Sequence, residues 1–384
     1  MIGPNRAGKT TLINVISGVL PSRMARIEEK IRAVENGLRA GPRVSRRSLD
    51  RRMIDYRVPG VSIAVVENGT IEWAKAYGIA DANAGTPVNV ETLFQAASIS
   101  KPVTVAAVLR LVEAGRLGLD DPINEHLRRW RIPEDKHINR RRVTVRDLAC
   151  HNAGLTVSHF EGYAPGEPLP TILEILEGKP PATNPPVRHE APPGTHRYSS
   201  GGTTVLELLL TELTGQPFPA LMAELVLEPL GMRSSTFVQP LPADLAGNAA
   251  AAHDEQGAPV PGRWRVYPAA AAGGLWATPV DLARFAMAIQ ASYSGERGSL
   301  LRQETAQEML RVQAGNNVGL GFYIDAAGLR FSHSGINYGY RAHLMASVEG
   351  GQGAVVMTNS EGGEGLIREI LGSIAAVYRW VNFH

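Results

Sequence analysis

The sequence predicts an α+β fold, an α/β sandwich in which one sheet is assembled from both ends of the chain, helices flank it, and a mostly helical middle is inserted. Three observations point there. First, the apolar runs 61–66 and 71–77 flank Asn68-Gly69. Both residues of so short a turn need positive φ, which Asn and Gly tolerate, so the runs read as a β-hairpin. Second, strand character returns only near the C-terminus, at 319–325, 341–349 and 354–359. Third, the segment between carries apolar residues at helical spacing, broken by loops rich in Pro and Gly.

Taken in order, Ile27, Ile31, Val34 and Leu38 give 25–38 one apolar helical face, and 49–56 reads as a second helical piece. The hairpin follows. Residues 102–111 read as a long apolar helical run, opened by 98–101. Residues 143–150 read as a helix leading into His151-Asn152-Ala153-Gly154-Leu155. The stretch 156–195 is too long and too rich in Pro and Gly for a simple connector, and is expected to line a cleft. Helices are expected at 202–213 and 218–230. Thr278 caps another that runs to 289, with Pro279 in its first turn. An amphipathic helix at 365–381 closes the chain. The division expected is an extension at 1–24, an α/β domain from 25–106 and 271–384, and a mostly helical domain at 107–270 whose loops line the cleft.

Composition narrows the function. The 384 residues are 44% hydrophobic and 20% charged, with a net charge of +2. Such a balance fits a globular protein and gives no electrostatic footprint for nucleic acid. The basic runs 128–131 and 140–142 read as solvated faces. Cys150 is the only cysteine and lies in a helical pattern, so no intrachain disulfide forms, and the thiol is expected to be buried and inert. No apolar run reaches membrane-spanning length. The histidines show no paired spacing for zinc, and neither metal nor organic cofactor is expected. A cytoplasmic location is expected, because Asn14 and Ser17 interrupt the apolar N-terminal run and no clean cleavage signal follows.

Gly3-Pro-Asn-Arg-Ala-Gly-Lys-Thr10 fits a phosphate-binding loop, and residues 2–20 resemble the start of an ABC-transporter ATPase. Only Met1-Ile2 precede it where a strand is needed, and no downstream Mg²⁺-holding aspartate stands out. The expectation is a non-functional, dispensable extension.

The chemistry is carried by Ser98-Ile-Ser-Lys101. Residues three apart on a helix share a face, so the lysine amine can reach the serine hydroxyl. A serine is a weak nucleophile until a neighbouring base takes its proton. The helix N-terminus adds free N–H groups for a developing oxyanion. Tyr198-Ser199-Ser200 and His333-Ser334-Gly335 follow, the latter on or beside a strand.

This ordered set resembles the serine hydrolases of the class C β-lactamase, D,D-peptidase and family VIII carboxylesterase group, which carry S-x-x-K, then Y-x-N or Y-S-x, then K-T-G, H-x-G or W-x-G. The resemblance spans roughly residue 50 to the C-terminus. It implies an antiparallel sheet flanked by helices, and an acyl-enzyme on Ser98. Lys101 would take or share the serine proton, and Tyr198 would act as general acid/base. The oxyanion hole would consist of the backbone N–H groups of Ser98 and Ile336. His333, Ser334 and Gly335 would border the substrate. A lysine at its ordinary pKa of about 10.4 is charged at neutral pH, so burial or a neighbour has to lower it.

Two departures bear on the substrate. His333, mostly neutral at an unperturbed pKa of about 6.5, replaces the cationic lysine of lactamases, and Ser200 replaces the usual amide. Both lean towards neutral esters. Arg341 lies close enough in sequence to restore a charge, which keeps β-lactamase and D,D-peptidase readings open, and a catalytically silent penicillin-binding protein is a further alternative. Trp264, Trp276 and Tyr338 are candidates to shape the acyl or alcohol pocket. The expected partner is a small-molecule ester, with no nucleic acid or membrane, and a homo-oligomer is left open.

Overall fold

The structure, a computed structural model, describes residues 21–41, 44–134, 141–313, 317–381 and 383. The phosphate-loop sequence Gly3–Thr10 lies outside the described residues.

A seven-stranded sheet forms the centre: β1 (Gly60–Glu67), β2 (Thr70–Asp81), β3 (Thr86–Pro87), β6 (Tyr323–Ile324), β7 (Arg330–Asn337), β8 (Tyr340–Ser347) and β9 (Gly353–Thr358), in the order β3-β2-β1-β9-β8-β7-β6. Every adjacent pair is antiparallel. The first and last parts of the chain meet where β1 pairs with β9, Ile63 opposite Val356. Asn68 and Gly69 both take positive φ, 53° and 68°, as the β1–β2 turn requires. A separate two-stranded ribbon pairs β4 (Phe94–Gln95) with β5 (Trp276–Ala277).

β1 is buried along nearly all its length because the sheet is covered on both sides. Alternate side chains serve different cores. Val61, Ile63 and Val65 pack with the apolar faces of α1 (Pro21–Glu35), α2 (Leu49–Asp55) and α8 (Gly363–Val377). Ala64 and Val66 face the larger core, which holds α3 (Ser100–Glu113), α4 (Val145–Ala149), α5 (Ser200–Thr214), the short α6 (Ala270–Gly273) and α7 (Pro279–Tyr293). The result is a helix–sheet–helix sandwich with the cleft where the inserted segment meets the sheet.

At α4, Thr144 accepts from the Asp147 N–H while the Asp147 carboxylate accepts from Thr144, a capping box that fixes the helix start. Thr278 caps α7 by accepting from the Asp281 N–H. The strand expected at 319–325 shrinks to β6, Tyr323–Ile324, because the preceding residues turn, with Gly321 at φ 80°. β7, by contrast, is a full strand of eight residues that alternation in the sequence did not announce. Between β4 and β5, α5 is the one helix of 15 residues; shorter helices and long loops make up the rest of the stretch after α3.

Candidate active site

Ser98 sits in a single 3₁₀ turn, Ala97–Ile99, that leads directly into α3. Ala97, just before it, has φ 51° and is fully buried. A non-glycine residue in the left-handed region is held there by its surroundings. The Ala96 N–H donates to the Leu275 carbonyl (2.8 Å), and the Leu275 N–H donates to Ser100 Oγ (3.0 Å). Ser100 Oγ itself donates to the Ala97 carbonyl (2.6 Å). The Ser98 turn is thus tied to Leu275, the residue just before β5.

Lys101 is 1% exposed. Its Nζ donates to Ser98 Oγ (3.1 Å) and to the Ala272 carbonyl of α6 (2.8 Å). Burial lowers its pKa from 10.5 to about 7, since a charged amine is disfavoured away from water. Its Nζ lies 4.9 Å from the centre of the Tyr198 ring.

Tyr198 precedes α5, whose cap is Ser199 accepting from the Gly202 N–H (2.8 Å). Burial pushes the phenol up to about 12, opposed by its hydrogen bond to Ser98. His151 packs on Tyr198 with ring centres 4.4 Å apart, and His151 Nδ1 accepts from the Ser199 N–H (3.3 Å). An accepting Nδ1 requires the neutral ring, and burial together with the Lys101 charge holds His151 well below its ordinary pKa.

β6 pairs only with Phe331 and Ser332, so among the described residues the outer edge of β7 from His333 to Asn337 has no strand partner, and it meets the Ser98 turn. Gly335 makes this approach possible. A Cβ at Gly335 would lie 2.2 Å from the Ala96 carbonyl oxygen, a backbone atom that cannot swing away. Gly335→Ala is therefore expected to force β7 and the Ser98 turn apart, costing about 1–3 kcal/mol of stability and lowering kcat/KM at least about tenfold. Thermal melts and ester kinetics check it; a wild-type rate would show that the close approach is dispensable. Asn337 reinforces the junction: its amide donates to Gln95 Oε1 (2.7 Å) and to the Gly273 carbonyl (3.0 Å).

His333 is buried in the cleft wall. Its Nδ1 bonds the Ser334 carbonyl (2.7 Å), and burial, then the Lys101 charge, lowers its pKa to about 3. Ser334 is exposed and bonds His343 Nδ1 (2.9 Å). Ile336 is 58% exposed. Ser98, Tyr198, His333, Ser334, Ile336 and Tyr338 all line one cleft of about 780 Å³, a size suited to a small organic ligand.

The structure separates other candidates from the cleft. Trp264 and Trp276 stack edge to face, 5.0 Å apart, in the core and do not line it. Ser200 is buried and donates to the Ser158 carbonyl (2.8 Å), so it does not stand in for the missing amide. Arg341 does line the cleft, but it is ion-paired with Glu361 and donates to the Asn337 (2.9 Å) and Tyr340 (2.8 Å) carbonyls. Tyr323, Glu161 and Glu361 also reach the cleft wall. They went unnoticed in the sequence because none stands in a recurring motif. Among the described residues no cluster of His, Cys, Asp or Glu could hold a metal, and no helix is long and apolar enough to cross a membrane. Cys150 is buried, which pushes its thiol up to about 12.

Comparison with known proteins agrees with the fold. Residues 45–377 match the β-lactamase family, so the chain belongs to that family. It is 33% identical over 217 residues to esterase EstB of Burkholderia gladioli, covering 55% of this chain and 54% of the esterase. The chain thus spans about half the length of that relative. The putative penicillin-binding protein PbpX of Bacillus subtilis is 24% identical over 316 residues, 81% of this chain and 73% of that one. Among solved structures, the octameric penicillin-binding protein homologue from Pyrococcus abyssi superposes with a TM-score of 0.71 at 23% identity, covering 93% of this chain and 77% of that one. The D-alanine carboxypeptidase AmpC from Burkholderia cenocepacia gives 0.68 at 20% identity, covering 91% and 99%. At such identities the structures speak for the fold.

Proposed function

We propose that this protein is a serine carboxylesterase that hydrolyses small, short-acyl, neutral esters through an acyl-enzyme on Ser98. The observation that carries the reading is the buried Lys101 amine 3.1 Å from Ser98 Oγ, with a pKa lowered to about 7. A neutral amine can accept the serine proton, whereas an ammonium cannot.

In the first half-reaction Lys101 Nζ takes the Ser98 hydroxyl proton as Oγ attacks the ester carbonyl. Negative charge moves to the carbonyl oxygen, which the backbone N–H groups of Ser98 and Ile336 stabilise. The tetrahedral species collapses, the C–O bond to the alcohol breaks, and Lys101 and Tyr198 return a proton to the leaving oxygen. Water then attacks the acyl-Ser98 carbonyl, giving up its proton to the same pair, and releases the acid and free serine. Both groups meet at Ser98 Oγ, the amine through its hydrogen bond and the phenol through its own.

The preference for neutral esters follows from charge. Arg341 is the only arginine or lysine among the described residues lining the cleft, and Glu361 already neutralises it. His333 is neutral at physiological pH. A carboxylate-bearing lactam or peptide finds no uncompensated cation there. Glu161 adds acidic character to the wall. The 33% identity to an esterase supports the same assignment. Weak β-lactam hydrolysis is expected as a side activity, because the nucleophile geometry serves either carbonyl. The test compares a short-chain aryl ester with a cephalosporin under identical conditions: kcat/KM for the ester should be at least about a hundredfold higher. A preference for the cephalosporin would instead assign a β-lactamase. A stable adduct on Ser98 that never turns over would assign a silent penicillin-binding protein.

A further inference from the structure

Within the most apolar stretch of α5, Val205-Leu206-Glu207-Leu208-Leu209-Leu210, stands a carboxyl that the scheme above does not use. Glu207 is 6% exposed and its five neighbours are fully buried. A carboxyl in such a place is costly unless its oxygens find donors. Glu207 Oε2 accepts from the Ala271 N–H (2.8 Å), and the Ala270 N–H also bonds the carboxyl. Both donors belong to α6, whose own preceding residue, Ala269, supplies no side-chain cap. Glu207 therefore caps α6 from across the domain.

The other end of that turn faces the site. The Ala272 carbonyl accepts from Lys101 Nζ (2.8 Å) and the Gly273 carbonyl from the Asn337 amide (3.0 Å). Two successive carbonyls thus hold the Lys101 amine and β7, while Glu207 holds the N–H end and shares its helix with the segment that presents Tyr198.

We propose that Glu207 is a positioning residue: its carboxyl fixes the Ala270–Gly273 turn so that the Ala272 carbonyl keeps Lys101 Nζ on Ser98 Oγ, shielded from water. This rests on the reading of Ser98 and Lys101 as nucleophile and base. The ionisable groups that face Lys101 are Tyr198, His151 and His333, so a changed turn is read through the titration of a defined set. Burial also raises Glu207 itself to about 8, opposed by the two N–H donors, which makes glutamine, with the same shape and a carbonyl acceptor, the conservative replacement.

The experiment measures kcat per active site titrated by a fluorophosphonate, KM, the pH dependence of kcat/KM, and the melting temperature for wild type, Glu207→Ala and Glu207→Gln. Should Glu207→Ala fail to fold, Glu207→Asp, one methylene too short to reach both N–H groups, takes its place. The alanine or aspartate variant is expected to lose about tenfold or more in kcat per titrated site, since small misplacements of reacting groups cost that much. Its KM should stay within about twofold. Its acid limb should move upward as water relieves the desolvation of Lys101. Glutamine should restore kcat to within about threefold and return the acid limb to its wild-type position. A lowered melting temperature with unchanged kcat per site and unchanged acid limb would reduce Glu207 to a structural role and overturn the inference. So would a glutamine variant as impaired as alanine. Failure of wild type to label at Ser98 would overturn the underlying reading, and this inference with it.

Discussion

Ser98→Ala is expected to abolish ester turnover, leaving a rate indistinguishable from the uncatalysed reaction, while the protein stays folded. The expectation is sharp because the Ser98 hydroxyl carries no structural burden. Its partners are the Lys101 amine and the Tyr198 phenol, both of the site itself. The turn is held instead by Ser100 Oγ and the Ala96–Leu275 backbone bond. Circular dichroism and thermal melting should match wild type, so lost activity reports lost chemistry. Removal of the nucleophile also removes the route through a covalent intermediate. A variant with more than a few per cent of wild-type kcat would mean that another group attacks the carbonyl.

The second large effect concerns the amine. Lys101→Ala should lower kcat/KM by at least about a hundredfold, the contribution expected of a positioned base. Tyr198→Phe, which removes the phenolic proton carrier but keeps the ring packed on His151, belongs to the same class of loss. Wild-type activity should also titrate. Lys101 must be neutral to accept a proton, and burial lowers its pKa to about 7, so kcat/KM should rise with pH through that region and fall away below it as the amine becomes charged. His151 and His333 are held lower still by burial, and cannot supply that limb. Tyr198, pushed up to about 12, titrates far above it. Lys101→Arg should not rescue the rate, since a guanidinium stays protonated. Near-wild-type activity in Lys101→Ala, or an acid limb absent between about pH 6 and 8, would reject the amine as base.

The two strands of the β1–β2 hairpin were legible because Asn68-Gly69 can hardly be anything but a turn between apolar runs, and β8 and β9 because each is a short apolar or alternating segment. The amphipathic faces of α1 and α8 were equally plain, for Ile27, Ile31 and Val34 repeat at helical spacing and pack under the sheet. β7 was legible only at His333-Ser334-Gly335, read as lying on or beside a strand; its full extent was not, because Ser332, Ser334 and Ile336 alternating with His333 and Gly335 make no apolar–polar pattern. A site residue obeys its chemistry before its propensity, so the pattern fails where function begins. The same reason explains why the spacing of Ser98 and Lys101 was readable while their support was not. An i, i+3 pair is local, but Glu207, Gln95 and Asn337 act across the domain on backbone groups, and only the folded chain reveals which carbonyl or N–H they meet. One clue was available: an acid in the middle of a leucine run is out of place unless something is there to receive it. The separation of Trp264 and Trp276 from the cleft could not be foreseen either, since a large aromatic serves a core or a pocket equally well.

The account depends on one covalent event, and mass spectrometry of the protein after challenge with a fluorophosphonate or a penicillin observes it directly. The expected result is a single adduct of the probe's mass on the peptide containing Ser98, formed faster as pH rises through about 7 and lost in Ser98→Ala. An unmodified Ser98 peptide, or an adduct on any other residue of an otherwise active protein, would contradict it.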